Sequence, residues 1–197
     1  MHRIYGTLIE MVAASVFIIP VFFLYNKFIF HNLKQALIYM VLAFYLVAVF
    51  ALVGFPSIIS IHFDFTVNVF PFVGMASDFS NACLNVLLFV PLGILLPMLW
   101  DKYRNMKSTL LFALCMTVGI EFSQIFTLRT TDINDIITNI AGTLLGYFVA
   151  KGITKNFTQC MKSNEKSKDL YMICGTVVLI MFLLQPFISS LLWEMIL

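Results

Sequence analysis

The chain has 197 residues, of which 61% are hydrophobic and 11% charged, and its formal net charge is +2. Soluble domains carry about 25% charged residues, so this composition excludes a soluble globular protein and indicates an integral membrane protein. The four cysteines form no Cys-x-x-Cys pair, which gives no support for a disulfide framework or a zinc site.

Six segments reach the roughly 20 mostly apolar residues that a membrane-spanning helix needs. They are about 7–25, 35–53, 81–100, 108–128, 133–153 and 170–192. The first follows Arg3 like a signal peptide, but no small-x-small cleavage site comes after it, so we expect a retained anchor. The predicted fold class is therefore all-α, a polytopic membrane helix bundle with about six transmembrane helices.

The lysines and arginines are distributed unequally between the two ends of these helices. Ten of the twelve lie in or beside the connections that follow helices one, three and five. The other two are Arg3 and Arg129. Because positive residues stay on the cytoplasmic side of a membrane, we expect both termini and the connection that contains Arg129 to be extracytoplasmic.

The outer connection between helices two and three has an alternating pattern. Residues 61–69 read IHFDFTVNV, with apolar side chains between polar ones. Strict alternation predicts an extended segment with one apolar face. Phe70 and Phe72 follow, and such aromatic residues favour the membrane interface. A plain connecting loop is the alternative.

Three predicted helices carry polar residues in the outer half of the membrane. Glu121 lies eight residues before Arg129, so a rise of about 1.5 Å per residue places it about 12 Å below the outer turn. The same rise places Asn85 and Asn139 about 6 Å deep. Polar groups at this depth mark functional sites by default, because burying them in a bilayer is costly.

Helical phase brings these residues onto shared faces. Glu121 and Gln124 are three residues apart and lie on one face. A second face has the spacing i, i+3, i+7 and holds Asp132, Asp135 and Asn139. We infer a polar cleft that opens to the outside between helices three, four and five.

This cleft supplies the candidate ligand-binding residues. They are Asn85, Glu121, Gln124, Arg129, Asp132, Asp135 and Asn139. The guanidinium of Arg129 suits a carboxylate or phosphate group. The structural alternative is that Arg129 forms a surface ion pair, that Asp132 caps helix five, and that the two asparagines hydrogen-bond between helices.

Further along helix five, Gly142 and Gly146 form a Gly-x-x-x-Gly motif. This motif allows another helix to approach closely. The partner helix could belong to the same chain or to a second copy, so a homo-oligomer is left open.

No established catalytic motif is present. The sequence lacks a Walker loop, a Gly-x-Ser-x-Gly elbow and a His-Glu-x-x-His motif. The catalytic residues are therefore unknown, and Glu121, Asp132 and Asp135 are the candidates for acid–base chemistry. We expect no metal, no cofactor and no nucleic-acid partner.

The order of these residues resembles the VanZ-like family of bacterial membrane proteins. The matching pieces run from Asn68-Val-Phe-Pro71-Phe72 through Asn85 and Pro91-Leu-Gly93 to Glu121-Phe-Ser-Gln124. They continue with Arg129, Asp132, Asp135, Asn139, Gly142 and Gly146. The residues in this set that are not ligand-binding candidates are interpreted as a structural motif: Asn68, Pro71, Phe72, Pro91, Gly93, Gly142 and Gly146. We accordingly divide the chain into the N-terminal helices (1–64), a VanZ-like core (65–153) and a basic connection with the last helix (154–197).

The resemblance implies a role at the surface of Gram-positive bacteria, where the family's name-giving member is associated with resistance to the glycopeptide teicoplanin. We expect the cleft to bind or alter a membrane lipid or a lipid-linked cell-wall precursor. Two alternatives remain: an enzyme that modifies a lipid or glycan head group, and a small transporter. The transporter has less support, because the inner halves of the helices lack matching polar residues and no inverted repeat is visible.

Overall fold

The computed structural model describes residues 2–63, 66–68, 70–72, 78–127, 130–157 and 168–196. The chain divides into two compact units. We call Met1–His62 with Lys168–Leu197 the flanking unit, and Phe63–Ser167 the central unit. Within the described residues, six helices are long and apolar enough to cross a membrane, which confirms the predicted all-α fold.

The flanking unit contains helices from both ends of the chain. Its elements are α1 (His2–Tyr25) with a π-helical turn (Asn26–Phe30), α2 (Leu33–Val53), α6 (Lys168–Leu179), a second π-helical turn (Ile180–Leu184) and α7 (Gln185–Ile196). The hydroxyl of Tyr25 on α1 lies 2.7 Å from the hydroxyl of Thr176 on α6. This hydrogen bond joins two helices that are about 150 residues apart in sequence.

The central unit contains three long helices and a very short parallel sheet. Its elements are β1 (Val67–Asn68), α3 (Phe79–Leu99), a 3₁₀ turn (Asp101–Arg104), α4 (Met106–Gln124), β2 (Thr131–Asp132) and α5 (Ile133–Phe157). The strands pair in parallel, with Val67 opposite Thr131 and Asn68 opposite Asp132. Each strand therefore precedes one of the two helices α3 and α5.

Glycines allow α3 and α5 to approach so closely that their backbones are in contact. A Cβ added to Gly142 would overlap with the carbonyl oxygen of Val86, and one added to Gly146 would overlap with that of Val90. Gly93 on α3 meets the backbone of Thr143 in the same way. The contact advances by four residues on both helices in the same direction, so the helices run parallel. Gly142 and Gly146 thus serve a helix contact within the chain.

The structure differs from the sequence prediction in the end of helix four. Helix four was expected to extend to Leu128, but α4 ends at Gln124. The amide groups of Phe126 and Thr127 bond three residues back, which tightens the last turn and ends the helix. Within the described residues of the alternating 61–69 segment, Val67–Asn68 forms a strand, and the extended conformation of the whole segment stays a prediction.

We predict that Gly142→Ala destabilises the protein, because a methyl group at this position forces α3 and α5 apart. Overpacking of this kind costs about 1–3 kcal/mol. The thermal midpoint of the purified protein in detergent, followed by size-exclusion chromatography, should fall. Gly119→Ala is the matched control, since an added Cβ there meets nothing within 4 Å. An equal midpoint for both variants would contradict the close packing.

Candidate functional site

Polar side chains are buried along α4 and α5 of the central unit, in a chain that is otherwise strongly apolar. The buried set consists of Thr109, Thr117, Glu121, Ser123, Gln124, Asn134, Thr138, Asn139 and Thr143. Its charged member is Glu121, which is only 3% exposed. A buried carboxylate requires hydrogen-bond donors, because removing it from water costs several kcal/mol.

Glu121 is held by the chain segment that returns to α4 at β2. Its carboxylate Oε2 accepts the backbone N–H of Asp132 at 2.9 Å. Its main-chain oxygen accepts the hydroxyl of Thr131 at 3.1 Å. Glu121 therefore lies level with β2. Because α4 ends at Gln124, the connection starts closer to Glu121 than the predicted helix end at Leu128; the depth of Glu121 in the membrane stays a prediction.

The side chain of Asp132 joins β1 to the start of α5. Both of its carboxylate oxygens accept from Nδ2 of Asn68, each at 3.2 Å. One of them also accepts the backbone N–H of Asn134 at 2.8 Å. The last contact satisfies one of the free N–H groups at the beginning of α5, as an N-cap does. Asp132 thus caps α5, as the structural alternative predicted, and also connects the start of α5 to β1.

Residues 66–72 are attached to this site through their backbone. The carbonyl of Thr66 accepts the N–H of Thr131 at 3.1 Å. The side-chain oxygen of Asn134 accepts the N–H of Phe72 at 2.7 Å. Phe72 has a φ of 65°, a left-handed conformation that is uncommon for a non-glycine residue and that this hydrogen bond helps to hold. The rings of Phe70 and Phe72 are exposed beside it.

Asn68, Glu121, Thr131, Asp132 and Asn134 together form what we call the Glu121 cluster. It contains the carboxylates of Glu121 and Asp132 and the amides of Asn68 and Asn134. These residues lie in the two strands, in the last turn of α4 and at the start of α5. Its hydrogen bonds fix the carboxylates as acceptors of backbone or amide N–H groups.

A second polar contact lies further along the same helices. Nδ2 of Asn139 donates to the hydroxyl of Thr117 at 2.8 Å, which links α5 to α4. The hydroxyl of Thr143 donates to the main-chain oxygen of Asn139 at 3.0 Å. The side-chain oxygen of Asn139 is buried and accepts no hydrogen bond in the described part of the chain. The hydrogen bond from Nδ2 of Asn139 to Thr117 fixes the position of this oxygen.

The remaining predicted site residues occupy different positions. Gln124 is buried at the end of α4, and Asp135 is half-buried in the first turn of α5. Asn85 is half-buried on α3, and no hydrogen bond within the described residues joins it to the Glu121 cluster. Arg129 lies outside the described residues, as do Lys162 and Lys166 of the basic connection. The ligand-binding and catalytic roles of all these residues stay predictions.

Sequence reasoning missed three residues of these contacts: Asn134, Thr131 and Thr117. Asn134 does not lie on the i, i+3, i+7 face that begins at Asp132, so the helical spacing did not indicate it as a site residue. Its signal was its position, because an asparagine near a helix start that follows an aspartate often takes part in backbone hydrogen bonding. The threonines gave no signal, since Thr117 is a common residue type for an apolar helix and Thr131 lies in a two-residue strand that has no periodicity.

Six helices that could cross a membrane, with polar residues buried between the central ones, define a multi-pass helical membrane protein. The chain belongs to the VanZ/LLP1 family, whose model matches residues 37–155. Protein VanZ of Enterococcus faecium is 31% identical over 149 residues, which cover 73% of this chain and 88% of that protein. No solved structure gives a significant match. The predicted family is confirmed, and the matched region contains every residue of the Glu121 cluster.

We predict that Asn68→Asp releases β1 from β2, because it places a carboxylate 3.2 Å from that of Asp132. Peptides that contain Asn68 and Thr131 should then exchange backbone hydrogen faster in hydrogen–deuterium exchange mass spectrometry. The matched control is Asn81→Asp, since exposed Asn81 also donates to an aspartate, Asp78. Unchanged exchange in the Asn68 variant would show that this contact does not hold the strand.

Proposed function

We propose that this VanZ-like membrane protein lowers the susceptibility of its cell to teicoplanin and related glycopeptides. In this proposal the Glu121 cluster binds a lipid-linked or cell-wall ligand and so reduces the access of the antibiotic to the envelope. Membership of the VanZ/LLP1 family and 31% identity to protein VanZ support the biological role. The geometry of the Glu121 cluster supports the binding site.

The observation that carries the proposal is the buried carboxylate of Glu121. An apolar side chain would pack α4 against its neighbours without the cost of burying a charge. The carboxylate is instead buried where α4 ends, α5 begins and residues 66–72 attach. Ionisable residues retained in such a position in a membrane protein indicate a functional site by default.

The hydrogen bonds favour binding over proton transfer. The oxygens of Asp132 are occupied by the amide of Asn68 and the backbone of Asn134, which hold the carboxylate in one orientation. Fixed acceptors suit the hydroxyl, amide and amino groups that glycans and peptides present. The exposed rings of Phe70 and Phe72 provide apolar surface for the lipid part of such a ligand.

The charge distribution supports an extracytoplasmic site. Ten of the twelve lysines and arginines lie at the opposite ends of the predicted helices. By the positive-inside rule, the cluster and both termini face outward, where cell-wall ligands are located. In the same proposal Arg129, on this side, contacts an anionic head group.

We predict that Glu121→Gln abolishes protection against teicoplanin while the protein remains in the membrane. The substitution keeps the size of the side chain but removes the charge and one acceptor. Teicoplanin susceptibility and surface labelling by fluorescent teicoplanin would be measured in a sensitive host at matched expression. Wild type should protect and reduce labelling about fourfold relative to the variant, a difference that corresponds to about 0.8 kcal/mol of binding.

Asp101→Asn is the matched control, because it also removes one carboxylate from the central unit but at an exposed position. It should protect like wild type. Equal protection by Glu121→Gln and wild type would exclude the cluster as the working site. Lipid and muropeptide mass spectra from the same strains distinguish binding from catalysis. A product that forms with wild type but not with Glu121→Gln would indicate an enzymatic activity instead of binding alone.

A further inference from the structure

The flanking unit contains a polar cavity that the Glu121 cluster does not include. Its volume is about 280 Å³. It is lined by Glu10, Phe55, Ser57, Ile59, Ser60, Met181, Gln185, Pro186, Ser189, Ser190 and Trp193. These residues come from α1, from the segment after α2, and from the π-helical turn with α7.

One wall of the cavity contains a helical carbonyl group whose usual hydrogen-bond donor is missing. Pro186 has no N–H, so it cannot donate to the carbonyl of Phe182 four residues earlier. The N–H of Ile58 donates to that carbonyl instead, at 3.0 Å. In a membrane-spanning helix such a carbonyl needs a partner, and here the partner comes from a loop. The bond fixes the loop that carries Ser57 and Ser60 against the π-helical turn that precedes α7.

The lining combines one negative charge with hydrogen-bonding and aromatic groups. Glu10 is half-buried and is the charged side chain among the lining residues. Gln185 is only 4% exposed, yet its side chain makes no hydrogen bond within the described part of the chain. Trp193 adds an aromatic surface. An amide buried beside a cavity without a partner indicates that the site is built for a polar group.

We propose that this cavity binds the ammonium head group of a membrane lipid. A carboxylate together with an aromatic ring is the combination that recognises organic ammonium ions, through a charge-assisted hydrogen bond and a cation–π contact. Among the described residues, no lysine or arginine lines the cavity, which disfavours a purely anionic head group.

A lipid is the favoured source of the ammonium group because the cavity lies on membrane-spanning helices. The exposed side chains of Phe187 and Leu191 lie on α7 next to lining residues and provide apolar surface for an acyl chain. This proposal concerns the flanking unit and does not depend on the function proposed for the Glu121 cluster.

Native mass spectrometry of the full chain in detergent tests the proposal with two probes. These are phosphatidylethanolamine and the same lipid with its amine acetylated. We expect about tenfold tighter binding of phosphatidylethanolamine, because acetylation removes the positive charge. Glu10→Gln should abolish this preference, and Gln185→Leu should weaken it. The comparison of the two lipids on the wild-type protein stands even if a variant fails to fold.

Glu194→Gln is the matched control, since Glu194 is an exposed carboxylate on α7 that does not line the cavity. It should keep the wild-type preference. Equal binding of the two lipids, or equal behaviour of the Glu10 and Glu194 variants, would overturn the proposal. If soluble glycerophosphoethanolamine bound as tightly as the lipid, the acyl chains would contribute nothing, and the lipid would be overturned as the occupant in favour of a soluble ligand.

Discussion

The hydrogen bond from the backbone of Asp132 to the carboxylate of Glu121 is the contact on which the polar part of the central unit depends. It joins the last turn of α4 to the residue that caps α5, and so determines the path of the connection between them. In a low-dielectric environment such a charge-assisted bond is strong, and leaving the carboxylate without donors would be costly.

The glycine contact between α3 and α5 explains why the attached strands are parallel. Gly142 and Gly146 bring the two helices to backbone distance with the same direction, so the helices begin at the same end of the unit. Each helix is preceded by one strand, and the two strands therefore meet side by side and run the same way. Helix packing thus brings Asn68 to Asp132, which are 64 residues apart in sequence.

Hydropathy predicted the six spans well, because membrane-spanning helices have a strong and local signal. The Gly-x-x-x-Gly motif predicted a close helix contact but could not identify α3 as the partner. The strand pair was not predictable, since two-residue strands have no periodicity and pair through tertiary structure. The end of α4 was predicted too late at Leu128, because i→i+3 hydrogen bonds end the helix at Gln124. The cavity beside Gln185 depends on a contact between Ile58 and Phe182. Pro186 indicates in the sequence that the carbonyl of Phe182 lacks its helical donor, but it does not identify Ile58 as the replacement.

Photo-crosslinking in living cells would show whether the Glu121 cluster holds a cell-envelope ligand. Phe70 is 67% exposed beside the cluster, whereas Phe148 is 54% exposed on α5 away from it. p-Benzoylphenylalanine would replace each residue in turn, and the captured adducts would be identified by mass spectrometry. We expect an adduct with a lipid-linked or cell-wall precursor at Phe70 and an adduct with ordinary phospholipid at Phe148. Ordinary phospholipid in equal proportion at both positions would contradict it.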